Sequence, residues 1–167
     1  MKRPSKFCCI FSFLLVLALA AVPARAGWYF SYGTAAVIQD MTSVATRVVY
    51  GWGSYIKVKK GESVWVHVPF TNPAMNDITV SEVQLHWKAD AKSIYIAQVD
   101  VYDAPIRFWT KTGRWQAGTS GTKITTWKLG RDWKIYRGFG ASLLVKNSGG
   151  ADQSVTILCF GAHFSDL

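Results

Sequence analysis

The sequence predicts an all-β protein, an antiparallel β-sandwich of jelly-roll or immunoglobulin-like topology, and three observations carry that prediction. Short runs rich in Val, Ile, Thr and aromatic residues recur along the chain, each closed by Gly, Pro, Asn or Asp. Several runs alternate between apolar and polar positions, the period of a strand with one buried face. Beyond residue 26 no long stretch carries helical periodicity.

The first 26 residues are set apart as a secretory signal peptide. Lys2, Arg3 and Lys6 make a basic start, residues 10–22 are apolar except for Ser12, and Pro23-Ala24-Arg25-Ala26 ends in a small-x-small site. That apolar run falls short of the roughly 20 residues a membrane span needs. Cleavage after Ala26 leaves a mature chain, residues 27–167, with no transmembrane segment, of a length that suits one domain with a real core. The expected location is secreted or periplasmic. Cys8 and Cys9 depart with the leader, so Cys159 is the one mature cysteine and no intrachain disulfide can form. Its apolar surroundings make a small buried hydrophobe the commoner role, with intermolecular pairing in an oxidising compartment as the alternative.

The mature chain reads as a succession of strands. Residues 27–32 (GWYFSY) form the first, while residues 34–42 suit either a strand or a short helix. Residues 47–58 read as two strands, or one bent at Gly51 and Gly53. In residues 63–70, Val64, Val66, Val68 and Phe70 share one face, with Ser63, Trp65, His67 and Pro69 on the other. Residues 71–77 (TNPAMND) are a loop of turn-forming residues. Residues 78–89 alternate again, Val83, Leu85 and Trp87 opposing Glu82, Gln84, His86 and Lys88. In residues 94–102 the pattern sets Tyr95, Ala97, Val99 and Val101 against Gln98 and Asp100, and Asp103-Ala104-Pro105 turns the chain. A closing hairpin joins residues 140–146 to residues 153–164.

Between these lies the stretch with the strongest chemical character, residues 107–137. Eight basic residues stand there against one acid, a local charge of +7, interleaved with Phe108, Trp109, Trp115, Trp127, Trp133 and Tyr136. Without the leader, 15 of the 19 basic residues and all 10 acids remain, so the mature chain carries +5 and everything outside this stretch sums to −2. Basicity is therefore regional. Turns are expected at Lys111-Thr112-Gly113 and Gly130-Arg131-Asp132, with a polar glycine-rich loop at residues 116–122. Rings beside cations suit sugar stacking and the binding of carboxylate, sulfate or phosphate groups. The candidate ligand-binding residues are Arg107, Trp109, Lys111, Arg114, Trp115, Lys128 and Arg131. The competing reading buries the rings of amphipathic strands and leaves the lysines in water.

Other chemistries find less support. His67, His86, His163 and Cys159 lack the short ligand spacings of a zinc site, and no cofactor is expected. His67 and His86 fall on polar strand faces and become neighbours if those strands pair. Glu82, Asp100 and Asp103 are the only acids close to one another on neighbouring strands, without the spacing of a paired-carboxylate hydrolase. Cys159 and His163 share a face but stand about 13 Å apart along a strand. Phosphate-loop, dinucleotide and calcium-loop signatures are missing. Nucleic acid suits the charge, but an exported protein seldom meets it as a cognate partner.

The succession VVYGWGSYIKVKKGESVWVHVPF, the segment VQLHWKA and the closing FGASLLVKN resemble small secreted bacterial β-sandwich proteins of uncharacterised function. The resemblance implies a fold and a compartment and transfers no site residue. The functional expectation is a secreted, non-catalytic binding module for a glycan or anionic envelope polymer. The alternatives are an oligomerising structural envelope or matrix protein and, third, a secreted hydrolase.

Overall fold

A computed structural model describes residues 26–70 and 78–166. The proposed leader, up to residue 25, and the expected loop at residues 71–77 lie outside the described residues. The chain is all-β. Strand β1 (Gly27–Tyr32) leads through a 3-10 turn, Gly33–Ala35, to the short β2 (Val37–Ile38). A second 3-10 turn, Met41–Ser43, is capped by the Asp40 carboxylate, which accepts from the Thr42 amide at 2.8 Å. The segment left open between strand and helix is thus two tight turns around a two-residue strand. The glycine-rich segment after it resolves into two paired strands, β3 (Val44–Tyr50) and β4 (Gly53–Val58). Then come β5 (Ser63–Pro69), β6 (Ile78–Ala89), β7 (Ile94–Asp103), β8 (Ile106–Gln116), β9 (Lys123–Ile135), β10 (Phe139–Asn147) and β11 (Gln153–Asp166).

Successive strands from β4 onward change sheet at almost every step. Sheet I has the order β3-β4-β11-β6-β9, and sheet II the order β2-β5-β10-β7-β8. The four strands β4-β11-β6-β9 facing β5-β10-β7-β8 are two interlocked Greek keys, so of the two topologies expected the jelly roll is the one adopted. Every pairing is antiparallel. Long β11 organises sheet I: one edge pairs with β6 throughout, and the other takes β4 along residues 153–157 and β1 along residues 159–164. Gly33 and Gly53 meet at this junction, where a Cβ on either would collide with the Ile157 carbonyl.

Inward residues of both sheets fill the core. Val64, Val66, Val68, Val83, Leu85 and Trp87 are buried as their alternation predicts. Buried polar side chains tie the turns to the sandwich. Asn147 donates to the carbonyls of Val58, Lys59 and Ala151 at 3.1, 3.2 and 2.9 Å and accepts from the Gly149 amide. Asp103 accepts from the amides of Tyr136, Arg137 and Gly138, pinning the β9–β10 connection to β7.

The expected closing hairpin does not form: β10 joins sheet II between β5 and β7 and β11 joins sheet I between β4 and β6, so the two strands cross between sheets instead of pairing. Three further local readings need correction, all for one reason. Both expected turns inside the basic stretch are bulges in continuous strands. Thr112 pairs with Gln98 and Trp115 with Ile96, so Gly113 and Arg114 together oppose Ala97. At the second site Lys128 pairs with Glu82 and Trp133 with Val80, so residues 129–132 loop out opposite Ser81. Gly130 takes a positive φ of 82° there. The same irregularity resets β7: Ile94 and Ile96 face the core before it, Val99 and Val101 after it, and Tyr95 faces outward.

Candidate functional site

Strands β8 and β9 are the outermost strands of sheets II and I, so the basic stretch follows one lateral edge of the sandwich. Its rings point largely inward. Trp127 is 2% exposed, and Phe108, Trp109, Trp115 and Trp133 are half-buried and packed against the core. Trp115 meets Trp127 edge-on at 5.2 Å between ring centres. The cations stand outside, and four of the sequence-predicted residues have partners within the protein. Arg107 Nη1 lies 3.3 Å from Asp100 Oδ2, and Lys128 Nζ lies 3.8 Å from Glu82 Oε1. The Arg114 guanidinium covers the Tyr95 ring at 4.4 Å, and that of Arg131 covers Trp133 at 3.7 Å. Lys111 is exposed. Lys128 and Arg131 come together around the β9 bulge, lining a shallow cleft of about 270 Å³, while Arg107, Trp109, Lys111, Arg114 and Trp115 lie on the other sheet. Lysine and arginine on both edge strands also deter edge-to-edge pairing with another chain.

Exposed rings gather elsewhere, on the outer face of sheet I. Alternation along β1 places Trp28, Phe30 and Tyr32 on one face, opposite His163, Gly161 and Cys159 of β11. Phe30 lies across β11, because a Cβ on Gly161 would collide with its ring. From there it touches the His86 imidazole at 5.3 Å between ring centres. Trp28 is nearly parallel to Phe30, 22° between planes and 6.0 Å between centres, and meets His163 edge-on. Past the end of β1 the β3–β4 hairpin continues the line. Tyr50 and Trp52 stack at 4.9 Å with planes 3° apart, and the Lys88 ammonium sits 5.9 Å from the Trp52 ring.

Trp28, Phe30, Tyr32 and Trp52 are 36, 42, 70 and 53% exposed, far from the 2% of Trp127 on β9. They follow the β11 edge from about the level of His163 to that of Ile157, a length of about 20 Å at ordinary strand rise. Beside the strip lie Gln84, His86, Lys88, Thr126 and Lys128 on the same face. His86 Nε2 and Gln84 Oε1 are 2.7 Å apart. Burial beneath Phe30 lowers the His86 pKa from its ordinary 6.5, so the imidazole stays neutral near pH 7. Burial raises the Cys159 thiol, making it a poor nucleophile.

The strip was signalled by the alternating rings of residues 27–32 and by Tyr50-Gly51-Trp52. Neither segment is diagnostic by itself, because a single ring-bearing strand reads equally well as core. His67 and His86 lie on different sheets and are not neighbours. Among the described residues no three of His, Cys, Asp and Glu gather as a metal site would require. Glu82 and Asp100 face outward from opposite sheets, and Asp103 is occupied by backbone amides.

No protein-family model matches the chain, and no curated protein matches it. Solved structures do. Over 84% of its length the chain is similar to part of an agarase, AgWH50C, with 8% identity and a TM-score of 0.53, spanning 25% of that chain. Over 83% of its length it is similar to a low-affinity xylan-binding module, CBM86, from Roseburia intestinalis, with 12% identity and a TM-score of 0.52, covering 96% of that chain. At these identities the likeness is one of fold.

Proposed function

We propose that this protein is an exported, single-domain, non-catalytic module that holds an extended glycan chain along the outer face of sheet I. The observation that carries the reading is the line of exposed rings Trp28, Phe30, Tyr32 and Trp52 along one strand edge. Sugar rings present axial C–H groups on their faces and hydroxyls around their rims. A row of flat rings takes the faces, and the amide, imidazole and ammonium groups beside it reach the rims. The sandwich shared with a xylan-binding module supports this class of ligand. The cations on the neighbouring edge, Arg107, Lys111, Lys128 and Arg131 among them, suit carboxylated or sulfated chains, which bind more strongly as salt falls.

Affinity electrophoresis of the protein in gels containing xylan, agarose, a mixed-linkage glucan or an acidic polysaccharide tests the proposal. One or more should retard it, and Trp52→Ala should restore free migration. Unretarded migration in all four gels would refute the reading. A stable oligomer that protects Trp28 and Trp52 from aqueous quenchers would refute it too, and would assign the strip to subunit contacts.

A further inference from the structure

The opposite face of the sandwich carries a different surface. Across sheet II, register sets outward side chains in rows, His67 beside Ser142 beside Asp100 beside Thr110, and Pro69 beside Gly140 beside Tyr102. Gly140 leaves a gap in the middle strand: a Cβ there would meet only the Val68 carbonyl, at 3.9 Å. The gap opens a groove of about 420 Å³, walled by His67 and Pro69 on one side and Tyr102 and Pro105 on the other, with Ser142 in its floor. That volume lies in the range of small-molecule sites.

An unusual group holds one side of this groove rigid. Asp100 projects from a solvent-facing strand position yet is 2% exposed. Gln98 Nε2 donates to it at 2.9 Å, Thr110 Oγ1 donates to it as well, Arg107 Nη1 lies at 3.3 Å and the Tyr102 hydroxyl at 3.4 Å. Arg107 balances the carboxylate charge, and the shared acceptor fixes Tyr102 against the groove. On the far wall His67 Nδ1 is tied to Ser142 Oγ at 2.7 Å, which orients its Nε2. None of the side chains lining the groove is a Lys, Arg, Asp or Glu. Flat apolar walls, hydroxyl and imidazole groups that both donate and accept, and no free charge together describe a receptor for one neutral hydroxylated ring.

We infer that this groove is a second carbohydrate site, taking a single uncharged sugar residue with its face on Tyr102 and its hydroxyls toward His67 and Ser142. It shares with the proposed function only the class of ligand, and either site can fail alone. With binding sites on opposite faces, one module can hold two separate chains.

The test is amide and imidazole NMR of the ¹⁵N-labelled protein during titration with the methyl β-glycosides of xylose, glucose and galactose. At least one should shift Gly140, Ser142 and His67 in a saturable manner. Gly140→Val, which fills the groove with a good strand former, should weaken that response about tenfold or more, and His67→Gln should weaken it too, each with an otherwise unchanged spectrum. Trp52→Ala should leave it intact. Absence of those shifts with all three glycosides, or a response that survives Gly140→Val in a folded spectrum, would overturn the inference. Shifts confined to the rings of sheet I would overturn it while leaving the first site standing.

Discussion

The β1 strip and the β8–β9 edge both combine aromatic rings with cations, yet the fold uses the two in opposite ways. On β9 the rings occupy positions that alternation turns inward, so Trp127 is sealed in the core while Lys128 stands in water. On β1 the rings occupy outward positions, and Gly161 beneath them leaves room for Phe30 to lie against the sheet with its outer face open. Composition is therefore a poor guide to a binding surface. What matters is the parity of each ring relative to the core and the size of the residue paired with it.

The largest effect that tests this contrast is on stability. Trp127→Ala should cost about 3–5 kcal/mol, the usual range for a core tryptophan, whereas Trp52→Ala should cost less than about 1 kcal/mol. Denaturant unfolding of the two variants measures both, and equal losses would erase the distinction between the regions.

Binding should show the reverse order. Trp52→Ala or Trp28→Ala should lower affinity for a retained polysaccharide about tenfold, near 1.4 kcal/mol, the scale of a stacking anchor. Trp109→Ala and Arg114→Ala should leave affinity for a neutral chain within about twofold, because their side chains are engaged with the core and with Tyr95. Should Trp109→Ala prove the more damaging, the ligand belongs on the basic edge.

A subtler change acts on the seat of the strip. Gly161→Ala places a Cβ where the Phe30 ring lies and should push that ring off the sheet, lowering affinity a few-fold while the protein stays folded. Fluorescence of the neighbouring Trp28 should report the displacement.

The smallest effect is in pH dependence. Burial lowers the folded-state pKa of His86 below its ordinary 6.5. In that interval the unfolded chain holds the proton more readily, so stability is fully present above pH 6.5 and declines as pH falls through the folded value. His86→Gln should flatten this part of a melting-temperature profile.

Much of the fold was legible from neighbouring residues. The alternation of residues 63–70 and 78–89 specifies which side chains enter the core, and Trp87 and Val66 are fully buried in consequence. The turns misplaced at Gly113 and Gly130 show where local reading stops. A glycine between two strand-like runs is compatible with a turn or a bulge, and the choice rests on the partner strand, here β7 and β6. The strip was legible only as six strand-like residues ending in a tyrosine. Gly161 and His163 beneath it are distant in the chain, and Trp52 extends the same line only because β11 serves as common partner to β1 and β4.

By itself, then, the sequence determined the all-β class, the positions of most strands, the inward faces of β5 and β6 and the regional distribution of charge, because each is a property of residues adjacent along the chain. Tertiary structure decided the jelly-roll order, the conversion of two expected turns into bulges and the division of rings between core and surface. Those depend on which strands pair and which faces the second sheet covers, and pairing between distant segments is settled by the burial of the whole core at once.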